Sequence, residues 1–327
     1  MKCQDRAYGQ VEITEPVILD LLNSPELQRL KEISQAGYYE PYYPGTNHSR
    51  YEHSLGDCLL LNKFGATIEE QIAGLIHDVS HSAFSHAVDY ALFEGSEKEH
   101  NHQDNYFEEF VLNSGIPKIL KKYGFDVNYV IDETNFPLQE TELPDLCADR
   151  IDYSLRGLLA YKVAGLDKVK ELLENLTVQN KKWVFKNFDS AYEYAKLFEV
   201  LNKDYYSAIT TAVMFRRVGD YLKYALGQKY IIKDDLYTTD KEVIDKINKH
   251  LTEDQKLETL WKRMNNGSGY ESTPDNYDVN VFVKSRIVDP LCQHKGEIKR
   301  VSDIEPSWKD IVKRESEPKG YFIKFSD

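Results

Sequence analysis

Apolar residues recur at helical spacing through roughly the first 230 positions of this 327-residue chain, then give way to short alternating runs. In 15–35, Leu19, Leu22, Leu27, Leu30 and Ile33 follow a helical period. Asn23-Ser24-Pro25 splits that stretch into two short helices, the second capped by Asn23 or Ser24 with Pro25 in its first turn. The Tyr- and Pro-rich stretch 37–45 predicts a loop, and 48–63 a helix ended by Gly65. Thr67-Ile68-Glu69-Glu70 predicts a capping box. It opens a helix whose core face carries Ile68, Ile72, Leu75, Ile76 and Val79, with His77 and His81 sharing a face at its end. Helical patterns continue over 104–123, 145–159 (starting at Pro144-Asp145), 191–226 and 240–250. Tyr230-Ile231-Ile232 predicts a short strand, as do the alternating runs 279–284 and 320–325 beyond a polar loop at 265–276. The fold class expected is mainly α: a helical domain over 1–228 and a smaller mixed α/β portion over 229–327.

Composition narrows the function. Apolar residues are 41% and aromatic residues 12%, enough for a sizeable core. No run of 18 apolar residues and no apolar leader occur, so a cytoplasmic location is expected. The four cysteines, Cys3, Cys58, Cys147 and Cys292, lie far apart without C-x-x-C spacing and read as reduced thiols. Net charge is −13, from 54 acidic against 41 basic residues, which disfavours duplex nucleic acid. A small phosphorylated ligand held by a metal and a few arginines remains compatible with that field.

Seven of the nine histidines fall between His48 and His102. An adjacent His77-Asp78 on an apolar helix is by itself more often a buried hydrogen-bonded pair. Together with His53 upstream and Asp149 downstream it reads as one divalent site, two imidazoles and two carboxylates, suited to Mn, Fe, Co, Mg, Ni or Zn. Such an ion makes water acidic enough to attack near neutral pH and draws charge from a phosphoryl oxygen. His81, His86 and His102 are spare imidazoles that can protonate a leaving oxygen or bind phosphoryl oxygens, or else are surface and capping residues. Asp89 can orient one of them. Arg50, one helical turn before His53, reads either as a phosphate ligand or as an ion-pair partner of Glu52 or Asp57. Positions 149, 152, 153 and 156 share a helical face, on which Asp152 reads as a helix salt-bridge residue rather than a ligand.

Five segments resemble one family: 24–30, Tyr43-Pro44-Gly45, 50–56, His77-Asp78 through Phe84-Ser85-His86, and 149–153. They resemble the HD-domain metal-dependent phosphohydrolases, especially the branch that contains deoxynucleoside triphosphate triphosphohydrolases. The resemblance implies an all-α HD core and one divalent ion on His53, His77, Asp78 and Asp149, with a second ion left open. It implies active-site roles for His81, His86 and His102, with Asp89 paired to His102, phosphate contacts from Arg50 and Arg150, and sugar contacts from Gln35 and Tyr153. The expected activity is hydrolysis of a nucleotide, a dNTP or a related small phosphate ester. The alternative is a nucleotide-binding sensor or partner-binding module with an occupied but slow site. A homo-oligomer is left open. The chain departs from the family at Ser80 and Ser82-Ala83, where relatives usually carry glycine and Gly-Pro. Gly157 stands where an acid near the sugar is usual. The stretch 202–212, which normally brings Arg and His to the triphosphate, is almost without cations.

Overall fold

The computed structural model describes residues 1–92 and 102–326, the side chain of His102 excepted. The chain opens with an antiparallel hairpin, β1 (Lys2–Asp5) and β2 (Gly9–Glu12). Helices α1 (Pro16–Leu22), α2 (Pro25–Arg29), α3 (Arg50–Lys63), α4 (Ile68–Ile76), α5 (His102–Leu112), α6 (Ile116–Lys122), α7 (Val127–Ile131) and α8 (Ala148–Ala160) follow. Then come α9 (Leu166–Glu174), β3 (Leu176–Gln179), β4 (Lys182–Phe185), α10 (Phe188–Leu201), a π-helical turn at Asn202–Tyr206 and α11 (Ile209–Gly227). The remainder comprises α12 (Asp240–Asn248), α13 (Gln255–Met264), β5 (Tyr270–Ser272), β6 (Val279–Val283), β7 (Leu291–His294), β8 (Glu297–Arg300), α14 (Val301–Ile304), α15 (Pro306–Glu315) and β9 (Lys319–Phe325). The fold is thus mainly α with small sheets, as the pattern predicts. Among the described residues no helix is long and apolar enough to cross a membrane.

Local signals set most helix starts. Ser24 caps α2 through Leu27 N–H with Pro25 in the first turn. Ser49 and Glu52 form a reciprocal capping box that opens α3, and Gly65 follows its end at φ +76°. At α4 the expected box is half made. Thr67 accepts from Glu70 N–H, but the Glu70 carboxylate instead takes the Leu138 N–H at 2.8 Å. Helix α8 begins at Ala148 rather than at Pro144-Asp145, so Asp149 stands in its first turn. Tyr230-Ile231-Ile232 is not a strand. The alternating runs 279–284 and 320–325 do become strands, β6 and β9, paired antiparallel with β5 on the far edge. A four-stranded sheet, ordered β3-β4-β7-β8, joins β4 to β7 in parallel.

Two apolar clusters fill the interior. One lies under α1–α4, α6 and α7, with Leu21, Leu27, Leu30, Ile72 and Leu75 fully buried. The other reaches from Ala7 through α8, α10 and α11 to Ile323, so residues on both sides of position 228 share it. Helices α3 and α8 approach so closely at Gly56 that a Cβ there would lie 2.0 Å from Asp152 Oδ1 and 2.1 Å from Arg156 Nη2. That contact, at the seam of the two clusters, sets the spacing of the functional site.

Candidate metal centre

Three elements converge on one point. Helix α3 contributes His53 from its first turn, α8 contributes Asp149 from its first turn, and the end of α4 contributes His77 and Asp78. Helix α4 stops at Ile76, so His77 and His81 sit on the turns beyond it rather than on one helical face. The reason is tertiary. Arg29 Nη2 takes both the Val79 and the His81 carbonyls at 2.8 Å, giving those groups partners outside a helix.

The donor atoms meet tightly. His53 Nε2 lies 2.9 Å from Asp149 Oδ1 and 3.2 Å from His77 Nε2. His77 Nε2 lies 3.5 Å from both Asp149 Oδ1 and Asp78 Oδ1, and Asp78 Oδ2 lies 3.8 Å from His53 Nε2. Ligands about 2.1 Å from a shared ion are roughly 3.0 Å apart at right angles and about 3.4 Å apart tetrahedrally. The shortest of these separations fall on that scale, and His53, His77 and Asp149 present donor atoms within 4.8 Å of one another that could hold a divalent cation, with Asp78 beside them.

The outer contacts settle which nitrogens face inward. His53 Nδ1–H donates to Asp152 Oδ2 at 2.8 Å, and His77 Nδ1–H donates to the Gly74 carbonyl at 2.7 Å. Each outer contact thereby holds a proton on Nδ1, leaving both Nε2 atoms turned to each other among carboxylates. Such a set requires positive charge. Burial opposes protonation of His53, yet Asp149 and Asp152 outweigh it and hold the imidazole up at about 10. Burial works against the Asp149 carboxylate too, but His53 and His77 keep it well below the usual range. A divalent ion answers the same demand.

Asp152 does more than the helix ion pair expected of it. Its Oδ2 accepts from Arg156 Nε at 2.7 Å, one turn along α8, and its Oδ1 accepts from the Tyr8 hydroxyl at 2.8 Å. Arg156 in turn reaches Asp5 Oδ2 at 2.8 Å, tying the N-terminal hairpin to the back of the site. Sequence reasoning passed over Asp152 and Asp57 as site residues. Asp57 is fully buried one turn after His53, with neither oxygen hydrogen-bonded and Oδ2 3.6 Å from His77 Nδ1. Burial pushes its carboxyl well above the usual range. The spacing 53/57 on one helix was the available signal.

The arginines are differently employed. Arg50, 2% exposed, gives Nη1–H to Asp78 Oδ2 at 2.6 Å, Nε–H to Ser85 Oγ at 2.7 Å and Nη2–H to the Gln35 carbonyl at 3.1 Å. Its ion-pair partner is therefore the expected ligand Asp78, not Glu52 or Asp57. Arg150 turns toward 140–145, donating to the Asp145 and Thr141 carbonyls and to Glu140 Oε1 at 3.2 Å. Both guanidiniums are committed within the protein.

The remaining candidates line the approach. His81 Nε2 is 3.4 Å from Asp78 Oδ1, and its ring is edge-on to His86 at 5.0 Å. Burial and then Arg50 lower both imidazoles well below their usual range, so both are neutral. Asp89 Oδ2 lies 3.6 Å from His86 Nδ1. Its expected partner, the His102 side chain, lies outside the described residues. Phe84 and Ser85, between the two histidines, adopt left-handed backbone at φ 61° and 49°. Asp240 holds this bend by accepting from Phe84 N–H at 2.7 Å and Ser34 N–H at 3.0 Å. The Tyr153 ring is 6.3 Å from His53, and its buried hydroxyl has no hydrogen-bond partner among the described residues. The same holds for Gln35 Oε1 and the Tyr206 hydroxyl. A Cβ at Gly157 would lie 2.7 Å from that Tyr206 oxygen, so the phenol fills the space where relatives carry an acid.

No family model matches the chain. It is 34% identical over 291 residues to uncharacterized protein YdhJ of Bacillus subtilis, covering 89% of this chain and 88% of that one. It is 31% identical over 222 residues to metal-dependent phosphohydrolase cns2 of Cordyceps militaris, 66% of this chain and 64% of that protein. Over 162 residues it is 30% identical to the Homo sapiens deoxynucleoside triphosphate triphosphohydrolase SAMHD1, of which it spans only 25%. A solved phosphohydrolase from Bacteroides thetaiotaomicron superposes over the whole of both chains with a TM-score of 0.73 at 18% identity, a likeness of fold. The chain belongs to the HD-type metal-dependent phosphohydrolases.

Proposed function

We propose that the chain hydrolyses a nucleotide, a dNTP or a related small phosphate ester, by attack of water on phosphorus. One observation carries the reading: the Nε2 atoms of His53 and His77, each with its Nδ1 proton held elsewhere, face Asp149 and Asp78. Those four side chains would hold a divalent ion, which when bound supplies acidity to a water and positive charge to a phosphoryl oxygen.

The chain's own groups divide the remaining work. Arg50 fixes the Asp78 carboxylate and so orients a ligand rather than the substrate. His81 and His86, neutral and side by side, offer ring N–H groups to phosphoryl oxygens, and Asp89 aligns His86. The proton that the attacking water loses balances the one that the leaving oxygen takes up as its bond to phosphorus breaks, the neutral imidazoles relaying it. The unpartnered Tyr153 and Tyr206 hydroxyls and Gln35 Oε1 would pair with the polar edge of a sugar. Similarity of part of the chain to triphosphohydrolases supports a nucleotide as the substrate class.

The test is a panel of deoxynucleotides, ribonucleotides and simple phosphate esters, each assayed with Mn, Co, Ni, Fe, Mg or Zn. Release of phosphate, pyrophosphate or tripolyphosphate should require a divalent ion and vanish in His77→Ala. Tight nucleotide binding without product under any ion would instead establish a sensor.

A further inference from the structure

The cation-poor stretch 202–212 leaves a question of charge. A polyphosphate near the centre needs positive groups beyond the ion, yet Arg50, Arg150 and Arg156 all have carboxylate partners within the protein. Arg286 has none among the described residues. It lies between β6 and β7, where Val283, Ser285 and Ile287 are buried while Lys284 and Arg286 are half-buried.

The run is pinned on both sides to walls of the site. The Tyr90 hydroxyl, four residues after His86, donates to the Phe282 carbonyl at 2.5 Å. Asn202, fully buried at the start of the π-helical turn, accepts from Arg286 N–H at 2.9 Å and donates to Ser285 Oγ at 3.0 Å. Tyr206 is at the other end of that turn, its orphan hydroxyl beside Tyr153 at a ring separation of 5.6 Å. The segment thus bridges His86 to the tyrosines that flank His53. Electrostatics agree with this placement. Burial raises the phenols of Tyr39, Tyr153 and Tyr206 and Arg286 pulls each back, while burial, Arg50 and Arg286 in turn lower His86.

We infer that Arg286, with Lys284 beside it, binds the phosphate groups of the substrate that extend away from the metal centre, supplying from the C-terminal region the positive charge that 202–212 lacks. The inference rests on the phosphohydrolase reading and adds a substrate class, an ester bearing more than one phosphate. A guanidinium without a carboxylate partner is free to form bidentate bonds with phosphate oxygens.

Binding of inorganic tripolyphosphate and of orthophosphate to the Mn-loaded full chain, followed by calorimetry, tests it. Arg286→Ala should weaken tripolyphosphate about tenfold or more and orthophosphate far less, with metal content and melting temperature unchanged. Arg286→Lys should recover part of the loss. Equal tripolyphosphate binding by wild type and Arg286→Ala overturns the inference alone. Equal weakening of both anions overturns it too, since that places Arg286 at the ion. If the loaded wild type binds neither anion and releases no product from any ester, the phosphohydrolase reading fails and takes this inference with it.

Discussion

The imidazole side of the centre and its arginine side are built by different means. His53, His77, Asp78 and Asp149 come from the ends of three core helices, α3, α4 and α8, and their immediate supports are nearby: Asp152 on the same face as Asp149, Gly74 three residues before His77. The arginine side draws on the whole chain. Arg50 and Arg150 are spent on internal contacts, the bend carrying His86 is held by Asp240, and the unpaired guanidinium arrives at residue 286. The difference separates two tasks. Gripping an ion needs a rigid constellation that short-range geometry can fix. Choosing among phosphate esters depends on groups carried by a segment far along the chain.

The sharpest break of the imidazole side is Asp149→Ala. It removes the oxygen that lies 2.9 Å from one Nε2 atom and 3.5 Å from the other, so bound metal, read by elemental analysis, and turnover should both fall to background. Retention of a stoichiometric ion would show that the quartet is not the site. Gly56→Ala attacks the same side without touching a ligand. The new methyl would press on Asp152 and Arg156, both buried, so α3 and α8 must separate. A loss of about 2–3 kcal/mol is expected in a denaturant melt, together with weaker metal binding. An unchanged melt would mean that the helices have slack at their crossing.

Asp152→Asn is subtler, keeping the shape and removing the charge that holds the His53 proton. Metal affinity should drop about 10–100-fold, measured by competition with a chelator, while helix content stays constant. The arginine side should be indifferent to this change. Tripolyphosphate contacts through Arg286, once the ion is restored by excess metal, should recover fully. Failure to recover would mean that the two sides are one mechanical unit.

Legibility in the sequence follows the same division. Ser24, Ser49 with Glu52, and Thr67 announce helix starts because a cap is a contact between residues three apart. That His53, His77, Asp78 and Asp149 meet is legible because His-Asp adjacency and the acid on α8 are chemically unusual on apolar helices. The end of α4 was misread because Arg29, some 50 positions upstream, satisfies the Val79 and His81 carbonyls. Glu70 leaves its box for Leu138 for the same kind of reason. Asp240 sits 156 residues from Phe84, and no periodicity carries that distance. The phosphate contacts of Arg50 and Arg150 came from the resemblance alone, while the carboxylates that these guanidiniums meet, Asp78 and Glu140, lie 28 and 10 positions away. Arg286 carried no local mark at all.

The smallest predicted effect probes how the late chain supports the arginine side. Burial raises the Asp240 carboxyl to about 6, partly offset by the Phe84 and Ser34 N–H groups and by Arg50 and Arg29. In the unfolded chain an aspartate titrates near ~4. The folded state therefore binds this proton more tightly, so stability from Asp240 rises as pH falls from about 6 toward 4 and the penalty is complete above 6. Asp240→Asn removes the titration. Between pH 7 and pH 5 the wild type should gain about 1 kcal/mol over the variant, seen as a pH-dependent difference in denaturant midpoints. A constant difference across that range would mean that the two backbone N–H bonds keep the carboxylate ionised in the fold. In that case Asp240 grips the left-handed Phe84-Ser85 bend as an anion at every pH tested, and the support of His86 does not vary with acidity.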